Sequence, residues 1–489
     1  MDEAVFYVAE GDPADKHSQE SIAYHVSVHG HQQHAAFKLA NAPQNGAVLT
    51  GTGPQERLFV AQKKKALINV YSWGKESIDQ RIPVPEEISC LTLVHHPNTT
   101  TAINNPHELA NFRLPWLLVA GSPTGKLYVW ELSSGALLCV KHAHYQGMRK
   151  AVVTRCGTFI ITVGDDGRCM VWRTIDLISF TDKAQSDVST NALFHSMADH
   201  TLPITDVVLS PTGQLQDLKV YTSSQDGTVR EYDLLTKQLV TTFVLPNPVT
   251  SLCLDPASRL LYCGLNNGVI RSVPMYTVNK HNQTLEHIGG LGSIVTVSEN
   301  DPNLEFTFVN HQSNDSETLV TQLKVSLDGT LLISGDSKGR VLISDIISKQ
   351  VIKSLTSLNS SISFIETQVL PSDFNDSGLL RGDKKHRLIP NLKRILAGGE
   401  ERHKHELNIQ ITDEVEEHDD FHSWLAQKSR EELEFKNLSD VNSQITSADV
   451  ESSNSTELQL KLDKISAAYT ALRKNHEDLF EKYKAVIND

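Results

Sequence analysis

The chain is short of several features whose absence narrows its function. No run approaches the roughly 18 consecutive apolar residues of a membrane-spanning helix, and the longest, around Leu114–Ala120, falls far below that length. The start, Met1-Asp2-Glu3, carries acid where a secretory leader needs base, so secretion is not expected. Six cysteines (Cys90, Cys139, Cys156, Cys169, Cys253 and Cys263) lie scattered in apolar stretches without a CxxC pair. That usage points to buried, reduced thiols in cytosol or nucleus, not to a disulfide framework or a zinc site. Phosphate cradles are missing too: there is no GxxxxGK[ST] and no strand-linked GxGxxG, and Gly51-Thr52-Gly53 reads as a turn. Base is in deficit, with 45 Lys and Arg against 59 Asp and Glu. A net charge of −14 argues against wrapping nucleic acid unaided, because phosphate binding needs a basic face. Contact with a ribonucleoprotein through protein neighbours is compatible with it. A hydrophobic share of 39% excludes a wholly disordered chain, and 489 residues allow several domains or one large repeat array.

What is present is a repeat. Small or apolar residues lead into a polar turn ending in Gly, then an alternating strand that ends five residues later, often on an aromatic. Ala120–Gly125 leads to Trp130, Thr162–Gly167 to Trp172, and Thr222–Gly227 to Tyr232-Asp233. Weaker copies run from Gly268 to Val273 and from Gly339 to Ser344-Asp345, and Ala66 to Tyr71 is a sixth with Ala in the glycine's place. The intervals between end positions are 59, 42, 60, 41 and 71. Two match the roughly 40–45-residue period of WD repeats, and the others fit the same unit with a loop inserted. Earlier strands in each unit close on turns such as Ser210-Pro211-Thr212-Gly213, Asp255-Pro256 and Asp328-Gly329. The expected fold is all-β: a seven-bladed WD-repeat propeller over residues 1–412.

Six phrases need a seventh blade. Ser361–Ile365, Leu392–Ala397 and Leu407–Ile411 are candidates for its inner strands, completed by N-terminal strands at Ala4–Val8 and Ile22–Val28. Joining both chain ends in one sheet leaves no open edge at the seam. From 413 to 455 the chain turns acidic and polar, as a linker with one short helix near Phe421–Phe435. The segment 456–489 is expected to be a coiled-coil helix. Leu458, Leu462, Ile465, Tyr469, Leu472, His476, Leu479, Tyr483 and Val486 alternate spacings of four and three, one apolar seam capped at its start by Ser455 or Thr456.

The chemistry-bearing groups recur with the repeat. His200, Thr222, Asp226 and Tyr232 match the hydrogen-bonded network inside WD blades, and His144, Thr162, Asp166 and Trp172 repeat it one blade earlier. A hydroxyl, a histidine and an aspartate suggest hydrolase chemistry, but recurrence at one place in successive repeats marks architecture, so no catalytic residue, cofactor or metal ligand is assigned. The pairs His95-His96, His142 with His144, and His403 with His405 lack a neighbouring Cys or helical i, i+4 spacing and read as loops. Lys63-Lys64-Lys65 lies in a strand hairpin. Lys384-Lys385-His386-Arg387 lies in a loop, where Lys384, Lys385 and Arg387 are candidates for nuclear import or RNA contact, or for a simply solvated surface.

Longer phrases are more specific. Lys65-Ala66-Leu67-Ile68-Asn69-Val70-Tyr71, the run Glu76–Glu86, Gly125–Leu132, Ala143-His144-Tyr145-Gln146, Asp199–Asp206, Asp328–Leu332, Ser348–Ile352 and Ile389-Pro390-Asn391-Leu392 carry a resemblance. So do Ala468-Tyr469 and Leu472-Arg473 in the tail. Together they resemble the WD-repeat propeller subunits of the nuclear complex that matures the large ribosomal subunit precursor alongside a giant AAA-type ATPase. The resemblance spans nearly the whole chain and is weakest in the linker. It implies a non-enzymatic assembly factor of the nucleolus and nucleoplasm, acting in removal of the second internal transcribed spacer. It also implies a helical-repeat scaffold subunit, the pre-ribosomal particle and the remodelling ATPase as partners. Self-pairing through the C-terminal helix, with no membrane contact, completes the expectation. The competing readings are a WD-repeat adaptor of another complex, such as a ubiquitin-ligase receptor or a vesicle-coat subunit, and a hydrolase.

Overall fold

Apolar alternation between Gly-, Asp- and Pro-bearing turns produces seven antiparallel sheets arranged as the blades of a propeller in the computed structural model. The structure describes residues 2–370 apart from 12–21, 31, 52–55, 74, 96–115, 179–192, 213–214, 280–282, 298–306 and 312–317. It also describes 389–396 and, further on, 428–430, 432, 463–464, 466–471 and 473–475. The chain divides into two units, 1–411 and 412–489.

The innermost strands, in chain order, are Ala47–Leu49, Cys90–Val94, Met148–Val153, Ile204–Leu209, Val249–Leu254, Val320–Val325 and Ile362–Leu370. We number the blades one to seven in that order. The first six build outward from consecutive strands, except that blade five receives its outermost strand, Thr307–Phe308, only after the chain has placed Ser293–Thr296 on blade four. The seventh does not: its inner strand Ile362–Leu370 pairs with Asp2–Ala9, which pairs with Ile22–Ser27, which pairs with Gln33–Lys38. Tyr7 faces Ile365 and Ala4 faces Gln368 across the seam. The outermost strand, Gln33–Lys38, escapes a reading by alternation because its burial has no two-residue period, with Phe37 its one buried residue.

Seven apolar cores fill the interfaces between neighbouring blades. Phe59, Ile82, Leu118 and Trp130 pack between blades one and two, and Tyr7, Val341, Ile343 and Ile365 between blades six and seven. Wedge-shaped sheets buried on both faces explain why the third strands carry runs such as Leu-Tyr-Val-Trp with every residue buried. Asn45 ties the inner ends of several blades together. Its N–H donates to Ser363 O at 3.0 Å, its carbonyl accepts from Leu91 N at 3.0 Å, and its amide oxygen accepts from Gln322 Nε2 at 3.1 Å.

Leu392–Ala397 corrects the strand expectation. Over 392–396 no strand forms, because this segment is a strap across the groove between blades one and two. Ile389 and Leu392 enter that core. Lys393 N donates to Gly135 O at 2.8 Å, Trp130 Nε1 donates to Lys393 O at 2.8 Å, and the Gln80 amide bonds both Ile389 N and Ile389 O. Gly135 is required there: its φ is +70° and a Cβ would stand 2.5 Å from Asn391 O. The other candidate, Leu407–Ile411, lies outside the described residues.

The seam yields a test. Val5, Phe6, Tyr7 and Val8 are all fully buried, and at about 1.5–3 kcal/mol each their burial is comparable with the whole stability of a domain, about 5–15 kcal/mol. Deleting residues 1–9 is expected to abolish the single cooperative transition followed by circular dichroism on heating. A variant lacking 1–9 that melts like the parent would contradict this closure.

Candidate functional site

His144 precedes the inner strand of blade three, Thr162 sits on the second strand, Asp166 on the following turn and Trp172 on the third strand. The turn brings Asp166 Oδ1 to 3.0 Å from His144 Nδ1, and Thr162 Oγ1 to 2.9 Å from His144 Nε2. Trp172 Nε1 donates to Thr162 Oγ1 at 3.0 Å. An ionised carboxylate only accepts, so the proton sits on Nδ1, Nε2 accepts, and the threonine hydroxyl donates to it. Every polar atom in this relay is thereby satisfied.

Blade four repeats the inner part. His200 Nδ1 lies 3.1 Å from Asp226 Oδ2, and its Nε2 lies 2.9 Å from Thr222 Oγ1. Tyr232 departs from the expected network: its hydroxyl donates to Asp199 at 3.0 Å and does not reach Thr222. A phenol carries its donor at the far end of the ring, whereas the indole of Trp172 carries it on the side. A third site went unread in the sequence. His311 Nε2 lies 2.7 Å from Ser334 Oγ, and Nδ1 lies 3.1 Å from Asp336 Oδ2, which also accepts from Arg340 Nε at 2.7 Å. Asp336 pairs with Val320 where Gly164 pairs with Met148, so its carboxylate enters two positions earlier than Asp166 does. A search for Asp directly before the turn glycine misses it.

The three carboxyls titrate alike. Burial pushes Asp166, Asp226 and Asp336 up, but the histidine hydrogen bond and backbone N–H donors outweigh it and hold each below the usual carboxylate range. Thr162 and Thr222 are fully buried with their protons committed to imidazoles, so neither offers a nucleophile to a substrate. The channel inside the ring holds a cavity of about 460 Å³. Of its lining, Lys150 pairs with Asp206 at 2.5 Å and Lys324 with Glu366 at 3.5 Å. All six cysteines are free, five of them buried.

Of the C-terminal seam only Tyr469 is described, on helical residues and 71% exposed. Leu458, Leu462, Ile465, Leu472, His476, Leu479, Tyr483 and Val486 lie outside the described residues, as do Lys384, Lys385 and Arg387. No helix of the described residues is long and apolar enough to cross a membrane.

The model of the WD domain, G-beta repeat, matches residues 191–233, which include His200, Thr222 and Asp226. Over its full length the chain is 49% identical to the pre-rRNA-processing protein IPI3 of Scheffersomyces stipitis, with all of both proteins covered. It is 48% identical to that of Candida albicans, over 100% of this chain and 99% of the relative. The chain belongs to the IPI3 family of pre-rRNA-processing proteins. The relative from Saccharomyces cerevisiae is 32% identical over 95% of this chain and 97% of its own length, so the family likeness covers propeller and tail together. A WD-repeat propeller of a pre-rRNA-processing family has a role in ribosome biogenesis, and a ubiquitin-ligase or coat adaptor is not favoured.

The networks rank one another's mutants. Removing Asp166 leaves the His144 donor buried without an acceptor, at a cost of about 1–3 kcal/mol. In blade four Thr228 Oγ1 already lies 3.3 Å from the same ring nitrogen of His200, so Asp226→Ala should cost less. Asp336→Ala removes the acceptor of both His311 Nδ1 and Arg340 Nε and should cost most. Urea unfolding should give that order. The depressed carboxyls add stability above about pH 3.9, their unfolded value, and lose it as pH falls toward the folded pKa, so Asp336→Asn should flatten acid sensitivity below about pH 4.

Proposed function

We propose that the protein is a non-enzymatic scaffold in maturation of the large ribosomal subunit precursor, including processing of the second internal transcribed spacer. Its seat is the nucleus, in nucleolus and nucleoplasm. The observation that carries the reading is the match to pre-rRNA-processing proteins along the entire chain. The hydroxyl, histidine and aspartate sets support the non-enzymatic part, since they are consumed in holding blades together. Its partners are a helical-repeat scaffold subunit of the same complex, the pre-large-subunit particle and the AAA-type remodelling ATPase. A chain with net charge −14 suits attachment through protein neighbours. Affinity purification of the tagged chain should enrich large-subunit precursor factors and spacer-containing RNA. Enrichment of ligase or coat subunits instead would overturn the assignment.

The tail serves as a coiled coil that pairs two copies. An isolated helix of about 30 residues with a narrow apolar stripe gains little in water, whereas a buried aliphatic seam contributes about 1.5–3 kcal/mol per well-packed side chain. Light scattering should give the full chain near twice its 54.2 kDa, and the Leu472→Asp variant near a single copy. A full-length monomer at tens of micromolar would leave pairing with another subunit's helix. Lys384, Lys385 and Arg387 serve nuclear delivery or particle docking. Neutral replacements should leave the melting curve unchanged and lower nuclear signal or particle co-sedimentation.

A further inference from the structure

Blade four has a strand that the repeat does not supply. After the third strand of blade five, Ile270–Pro274, the chain forms a hairpin, Tyr276–Val278 with Leu285–His287. It then crosses back to place Ser293–Thr296 parallel to Leu239–Val244, as a fifth strand on blade four. His287 Nε2 stands 3.6 Å from the buried Glu231, which Lys219 also pairs at 2.6 Å, so the hairpin lies against blade four there. Gly289, Gly290 and Gly292, at φ of +107°, +157° and +71°, make the bend that brings the strand in.

Outer edges of sheets expose unpaired backbone groups, and proteins guard them with charge, proline or shortness. The other blades follow that rule. Gln80–Pro83 carries Arg81 and Pro83, Leu137–His142 carries Lys141, Val351–Ser354 carries Lys353, and Gln33–Lys38 carries Lys38. Thr307–Phe308 is two residues long, and the carbonyl of Phe194 in blade three is capped by Lys237 Nζ at 3.1 Å. Ser293-Ile294-Val295-Thr296 has none of these devices. From Ile288 to Val297 there is no charged residue, and Leu291 and Ile294 are 74% and 72% exposed. Among the described residues no strand lies beyond it.

We propose that Ser293–Thr296 is a docking edge, where an extended, uncharged segment of a partner protein adds a further strand to blade four. Backbone hydrogen bonds supply the attachment, and small or β-branched side chains of the segment pack against Leu291 and Ile294. A charged segment is disfavoured, since nothing in this ten-residue stretch pairs with it. A strand suits the edge better than a helix, whose backbone donors and acceptors are already used internally.

Hydrogen exchange followed by mass spectrometry tests this on the full-length tagged chain, alone and in the complexes isolated with it. Amides of 293–297 should exchange at least about tenfold more slowly in the complex, while those of Val351–Ser354 stay unchanged. The Ile294→Lys, Thr296→Lys double variant should melt like the parent and lose that protection. A photo-crosslinker at 294 should join to an extended peptide of another protein. Equal exchange in both states, protection that survives the lysines, or crosslinking to RNA or to a second copy of this chain would each overturn the proposal. Large-subunit precursor factors co-purifying with a bare edge would sink this inference alone, whereas a protected edge in a complex without them would sink the proposed function alone.

Discussion

Everything in the propeller hangs on one pairing, that of Asp2–Ala9 with Ile362–Leu370. The six other blades are built mostly from consecutive strands, and without this seam they form an open arc with an unsatisfied apolar face at each end. Closure covers those two faces with the cores on either side of blade seven and completes a ring of seven interfaces, each with its own core. Asn45 adds a polar clasp from the start of blade one to Ser363 on the closing strand and Gln322 on blade six, so the seam is held both at its ladder and at the channel.

The buried polar groups belong to the same construction. Low dielectric makes an unpaired imidazole expensive and a fully paired one a strong local clamp. His144 and His200 each join the loop entering a blade to the second strand and the turn of that blade, and His311 joins its loop to two positions on the second strand. Chemistry that would activate a hydroxyl at an open cleft here consumes it in a closed one. The outward surface, by contrast, carries the features that differ from blade to blade: the strap on blades one and two, and the added strand on blade four.

Legibility follows physical locality. Third strands stood out because a turn glycine with positive φ precedes them at a constant distance, as at Gly125, Gly167, Gly227, Gly268 and Gly339. The seam was legible because Ala4–Val8 and Ser361–Ile365 alternate or run apolar. Gln33–Lys38 lacks that alternation, and Leu392 looked like a strand because a strap buries apolar residues just as a strand does. Asp336 and the partner of Tyr232 were hidden by register: a two-residue shift and the reach of a phenol are set by neighbouring strands. Ser293–Thr296 was unreadable as part of blade four because its partner strand belongs to an earlier repeat.

The seam has a consequence for synthesis. Asp2–Ala9 leaves the ribosome ahead of its partner, which emerges about 350 residues later, so at roughly 5–20 residues per second the strand waits about 20–70 s. During that wait a strand edge whose last six residues, Ala4–Ala9, are apolar, already paired with Ile22–Ser27, is exposed beside a growing arc of finished blades. Translation speed and chaperone shielding of this nascent strand therefore bear on the yield of closed rings, and any pause between its emergence and that of Ile362–Leu370 lengthens the exposure.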